Sequence, residues 1–259
     1  MKLSPEKALI AFLEGIGSRM IFLGDTVAWT FRRPFDGAGL VAQMMEIGYR
    51  SLPVTGITIF FTGMVMALQI GKAMDAMMPG SSMYIGSAVT IAMFRELSPV
   101  LTGLLLAGRV GSAIAAQIGT MRVTEQIDAL VTLQTSPIQY LAVPRFLACV
   151  VMVPALTVLS DVLGVLGGGV VALTALGVPP MTYADNILNF TSVPDLMSGV
   201  AKSLFFGAEI AIIACYEGFG TKGGAEGVGR ATIRAVVVSS MTILISDYFL
   251  TYLLQLANL

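Results

Sequence analysis

The 259-residue sequence contains no histidine. That excludes imidazole metal centres, Ser-His-Asp triads and histidine proton relays. Its two cysteines, Cys149 and Cys215, both fall in apolar stretches. They read as small buried hydrophobes, and no disulfide framework follows. Charge is scarce, at 12% of residues, where a soluble domain carries about 25%. The net charge of −1 offers no global field for nucleic acid. No G-x-x-x-x-G-K-[ST] segment occurs, so the chain cannot hydrolyse ATP through a P-loop. The segment GFGTKG at 218–223 matches G-x-G-x-x-G in letters alone, because it follows an apolar helical run and no βαβ unit surrounds it. A secretory leader is not expected either. The apolar run Ala8 to Leu13 is cut by Glu14, Arg19 and Asp25, and no small-residue cleavage site follows. No catalytic residue, metal-ligand set or resident cofactor is therefore expected. No repeat is visible, which counts weakly against many secondary-transporter folds.

What is present is grease. Hydrophobic residues make up 56% of the chain, and the mean hydropathy is +0.84. A soluble fold of this size has no room to hide that much apolar surface, so the class is all-α integral membrane protein. Spans of about 20 apolar residues are expected at 51–71, 83–108, 146–176, 196–216 and 233–256. The third is long enough to tilt, or to break near Gly167-Gly168-Gly169. The remaining connections hold twelve Lys and Arg on one side and only Lys72 and Lys202 on the other. The positive-inside rule then places the N-terminus in the cytoplasm and the C-terminus outside. Residues 8–31 carry a charge every five or six positions and end in Trp29, Phe31, Arg32 and Arg33. This pattern fits an interfacial helix on the cytoplasmic leaflet, with a helix packed on the bundle as the alternative.

Three segments stand out. In the second span Arg95 and Glu96 are adjacent, about 18 Å along a helix that starts near Met83. Adjacent residues point about 100° apart on a helix, so each needs its own partner or a wet cavity. A mid-bilayer charge costs about 2.5–3.5 kcal/mol on insertion scales and marks a functional site by default. A purely structural pairing of Arg95 with Glu209 or Asp247 is the competing reading. Next, Gly103, Ala107, Gly111 and Ala115 recur every four residues, a small-residue stripe for close helix packing. Finally, Val123, Ile127, Leu130 and Val131 fall at helical spacing within 119–143, and Arg122, Glu125, Gln126 and Asp128 lie largely elsewhere around that helix. Ser136-Pro137 is expected to end it. Such a short amphipathic helix either packs on the bundle or docks on a soluble partner.

The stretch FRELSPVLTGLLLAGRVGSAIAAQIGTMRVTEQIDAL at 94–130 and the later GFGTKGGAEGVGRATIRAVVVSS at 218–240 resemble the MlaE (YrbE) family of ABC-transporter permeases. The resemblance extends over essentially the whole chain. Ser98 stands where the family usually has Gly. Gln117 stands where it usually has Glu, which puts in doubt any carboxylate role there. The resemblance implies a homodimer in the bacterial inner membrane, with one interfacial helix and five spans per copy. It implies a cytoplasmic ATPase subunit carrying ATP and Mg, and a periplasmic MCE-domain (MlaD-like) partner. The implied task is moving phospholipid between the inner and outer membranes. Arg122, Thr124, Glu125, Gln126 and Asp128 would then belong to the helix that couples to the ATPase. Arg95 and Glu96 would line a lipid cavity walled by Met64, Met66, Leu68 and Gln69. Two other functions stay open: an ion-coupled secondary transporter using Glu96, Asp161, Glu209 and Asp247, or a membrane scaffold with no transport cycle.

Overall fold

A computed structural model describes residues 5–32 and 37–256, without the side chains of 5–13 and 16. Among the described residues every regular element is helical. Helix α1 (Pro5–Thr30) is followed by α2 (Gly37–Ile47) and α3 (Leu52–Met77), the last two joined through a tight turn at Tyr49–Ser51. Helices α4 (Ile85–Ala92), α5 (Ser98–Leu106) and α6 (Ser112–Val123) run end to end through two π-helical turns, Met93–Leu97 and Ala107–Gly111. A short α7 (Gln126–Thr132) precedes α8 (Val143–Thr174). Then come α9 (Pro180–Phe190), α10 (Val193–Phe219) and α11 (Gly224–Leu256). Five of these helical stretches are long and apolar enough to cross a membrane: Gly37–Met77, Ser81–Val123, Ile138–Thr174, Val193–Phe219 and Gly224–Leu256.

Lipid tails are as apolar as leucine, so close van der Waals approach must hold such helices together. At the α3–α8 crossing, a methyl on Gly63 would overlap the Gly164 carbonyl, and one on Gly167 would overlap the Phe60 carbonyl. Helix α8 is therefore not broken at Gly167-Gly168-Gly169. It runs straight through, because the missing side chains admit the neighbouring backbone. The stripe Gly103, Ala107, Gly111 and Ala115 is buried within the chain, where Gly103 faces Phe206 and Ile243 and Gly111 faces Ile210. One core cluster surrounds Leu106, Phe206, Ile210 and Ala211. A second surrounds Ile59, Val89, Met93 and Tyr183.

Helix α1 packs on the bundle through part of its length. Phe22 meets Tyr216 and Phe219 at ring separations of 6.1 and 5.8 Å, and Arg19 pairs with Glu217 of α10 at 2.8 Å. Met20, Ile21 and Phe31 stay exposed. Helix α9 is tied down by Tyr183, whose hydroxyl donates to the Val165 carbonyl at 2.8 Å.

Candidate functional site

The site begins with a missing hydrogen bond. Pro99 has no N–H, so it cannot donate to the carbonyl four residues back, that of Arg95. The helix widens here into the π-turn Met93–Leu97, and the Ser98 N–H reaches back five residues to the Met93 carbonyl. Such turns recur at functional sites. The freed backbone faces α10. A methyl on Gly199 would overlap the Phe94 carbonyl, and Lys202 Nζ donates to the Arg95 carbonyl at 2.9 Å.

Lys202 is 2% exposed. Besides the carbonyl, it meets Glu96 Oε1 at 2.8 Å and Asp247 Oδ1 of α11 at 3.1 Å. Its ammonium donates to the carbonyl and to Glu96, and Asp247 adds a second carboxylate at ion-pair distance. Thr251 adds its hydroxyl to Glu96 Oε1 at 3.2 Å. Arg95 turns the other way, and its Nε donates to Asp195 Oδ1. Asp195 serves twice. Its Oδ2 accepts the Ser192 N–H at 2.7 Å, closing a capping box at the start of α10, while Oδ1 is left for Arg95. Buried charge of this kind persists only when paired and hydrogen-bonded.

Arg95 and Glu96 remain accessible, with side chains 39% and 44% exposed. They line a recess with Ser198, Lys202, Thr251 and Gln255. Its volume is about 20 Å³. That admits one water molecule and no lipid headgroup.

The expected neighbours are only partly assembled. Met64, Met66, Leu68 and Gln69 do not line this recess. Met64 and Leu68 pack into the second core cluster beside Phe94 and Leu97, and Gln69 is exposed. The α3 side of the π-turn is thus filled by packing, and the recess opens toward α10 and α11. Glu209 is not Arg95's partner. It accepts a hydrogen bond from Ser246 at 3.0 Å. Asp247 pairs with Lys202 instead of Arg95. Asp161 lies buried in α8 beside Ser98, outside the recess.

The expected amphipathic helix is interrupted. Helix α6 ends at Val123, and Glu125 takes a left-handed conformation with φ 61°. Val123 therefore belongs to α6, and α7 restarts at Gln126. Thr120, Val123 and Thr124 are β-branched and weak helix formers, and Thr124 Oγ1 bonds back to the Thr120 carbonyl at 2.8 Å. Helix α7 also stops earlier than Ser136-Pro137. Gln134 N–H meets the Val131 carbonyl at 2.9 Å, and Thr135 N–H meets that of Leu130 at 3.0 Å. This is a Schellman closure with Gln134 in the usual glycine position. Ile127 is buried. Thr124, Glu125, Gln126 and Asp128 are exposed, as are Val131 and Leu133. Arg122 pairs with Asp128 at 2.6 Å across the break. Gln117 accepts a hydrogen bond at 3.2 Å from Arg145, whose guanidinium is anchored on the Leu141 carbonyl.

Residues 40–253 match the family model described as Permease MlaE. The chain belongs to the MlaE permease family. A probable ABC transporter permease protein of Rickettsia felis is similar, 43% identical over 247 residues that cover 95% of each chain. One from Synechocystis sp. is 46% identical over 212 residues, 82% of this chain and 80% of its own. A third, from Pyropia yezoensis, is 38% identical over 213 residues, with the same two shares.

In this MlaE-family chain three site residues escaped the sequence reading. Lys202 counts among the outer connections in the charge tally, yet it falls within the span expected at 196–216, where a lone lysine among apolar residues is a signal in itself. Asp195 announces itself through Ser192-x-x-Asp195 ahead of an apolar run, the pattern of a capping box. Thr251 carries no sequence signal.

Proposed function

We propose that this MlaE-family permease is the membrane subunit of an ABC transporter that moves phospholipids between the inner and outer membranes and so maintains outer-membrane lipid asymmetry. The observation that carries the reading is the charged recess at Arg95 and Glu96, built around buried Lys202 within a membrane-spanning stretch. Arg95 offers a guanidinium suited to a phosphate, and Glu96 beside it suits a headgroup amine. The recess of one chain is too small for a headgroup. We therefore assign the full lipid cavity to a homodimer, with the exposed apolar residues Ile233, Val237, Met241 and Leu244 of α11 as part of the contact. The chain lies in the bacterial inner membrane with its N-terminus cytoplasmic.

A separate cytoplasmic ATPase supplies the driving force and binds ATP and Mg. The surface around Arg122, Thr124, Glu125, Gln126 and Asp128 receives it, with exposed Val131 and Leu133 as apolar anchors. The periplasmic partner is an MCE-domain protein of the MlaD type.

The test is co-purification and reconstitution. The gently solubilised complex should retain phospholipid by mass spectrometry and carry an ATPase subunit. In proteoliposomes its lipid transfer should need ATP. Transport driven by an ion gradient without ATP would replace this reading with an ion-coupled one, and a lipid-free complex unaffected by Arg95→Gln would reject the recess as the lipid site.

A further inference from the structure

We propose a second lipid site on this chain: a cleft between α1, α10 and α11 that holds one acyl chain of an anionic phosphoglycerolipid, with its phosphate at Arg19 and Arg234. It is separate from the recess. Glu217, at the mouth, lies fifteen positions beyond Lys202 on α10, about 22 Å along the helix.

The cleft measures about 340 Å³, within the range of roughly 300–1,000 Å³ typical of small-ligand sites. Met20 and Leu23 of α1, Phe205 and Ile212 of α10, and Val238 of α11 supply apolar walls. Arg19 and Glu209 are the charged residues of its lining. Along α10 the lining runs from Phe205 to Ile213, eight positions or about 12 Å of helix.

The mouth carries surplus positive charge. Arg19 and Arg234 both pair with the single carboxylate of Glu217, at 2.8 and 3.2 Å. Two guanidiniums on one carboxylate leave one positive charge over. Arg19 is fixed in position by the Tyr216 ring, 5.2 Å from its centroid. Its Nε is buried and donates to none of the described residues, and the Arg234 side chain is 59% exposed. The cluster sits at the last turn of α10 and the first turns of α11, a stretch that also holds Lys222 and an Arg230–Glu226 pair. That is a charged helix end, where a bilayer places its phosphates. A second copy of the chain pressed into the cleft would fill the apolar walls and leave this charge facing oil. A lipid meets the apolar walls with its tail and the arginines with its phosphate.

The experiment uses the full chain in nanodiscs of phosphatidylcholine containing phosphatidylglycerol, with retained lipids counted by native mass spectrometry. The wild type is expected to keep phosphatidylglycerol in preference. Ala208→Trp, or independently Thr242→Trp, fills the cleft and is expected to lose one lipid per chain. Arg19→Gln and Arg234→Gln each neutralise the cluster while leaving Glu217 one partner, and each is expected to abolish the preference for phosphatidylglycerol. Arg95→Gln acts only at the recess and should leave this lipid bound, so failure of the transport reading is distinguishable. An unchanged lipid count in both filling variants would overturn the proposal. So would an inter-copy disulfide between Met20→Cys and Val238→Cys, which would put a second copy in the cleft.

Discussion

Replacing Lys202 by methionine keeps the volume of the buried stem and removes only the ammonium. The Arg95 carbonyl and Glu96 Oε1 lose their donor, and Asp247 loses the cation 3.1 Å from its Oδ1. The carbonyl has no helical substitute, because Pro99 follows four residues on. Leaving it unsatisfied costs about 1–3 kcal/mol. Asp247, 17% exposed, faces Glu96 without an intervening cation. Breaking a buried ion pair costs about 3–5 kcal/mol. Glu96 is 44% exposed and turns partly to water, so the lower half of that range is expected. The assay is unfolding of the purified protein by SDS in mixed micelles. A triple variant, Lys202→Met with Glu96→Gln and Asp247→Asn, removes the uncompensated charge and should recover most of the loss. A loss under about 1 kcal/mol for Lys202→Met, below the cost of the orphaned carbonyl alone, would refute the account. So would a triple variant no more stable than the single one.

Three further outcomes follow from the same geometry. Gly199→Ala drives a methyl into the Phe94 carbonyl and should push α10 off the π-turn, costing about 1–3 kcal/mol as overpacking; an undisturbed melting profile would contradict the crossing. Arg95→Gln takes the cation from buried Asp195, whose two bonds from Ser192 both go to Oδ2, so it should cost about 1–3 kcal/mol of stability; in folded protein it should also sharply reduce phospholipid retention in mass spectrometry, and an unchanged lipid count would contradict the recess. Arg122→Ala with Asp128→Ala removes an exposed pair worth about 0–1 kcal/mol; the fold should survive in size-exclusion profiles, while ATPase binding and coupling measured on the reconstituted complex should fall.

The membrane class and the count of five spans were readable because lipid imposes them through composition and length. The Arg95–Glu96 doublet stood out because charge inside apolar sequence is costly. Local patterns misled where short-range geometry intervened. The periodicity through Val123, Ile127 and Leu130 suggested one helix, yet the left-handed Glu125 splits it. The long third span allowed a tilt or a break near the glycines at 167–169; α8 is continuous there, and Gly167 is a crossing point with α3.

By itself the chain determined that it must live in a membrane and that one span carries an anomalous charged pair. These follow from residue counts and spacing. Only the tertiary structure decided which partners the pair finds. Lys202 and Asp195 lie about a hundred positions away from it, and Asp247 is farther still. Nothing local in sequence brings them together. They meet because Pro99 frees a carbonyl, Gly199 lets α10 approach it, and a buried ammonium must gather that carbonyl and two carboxylates to remain charged in oil.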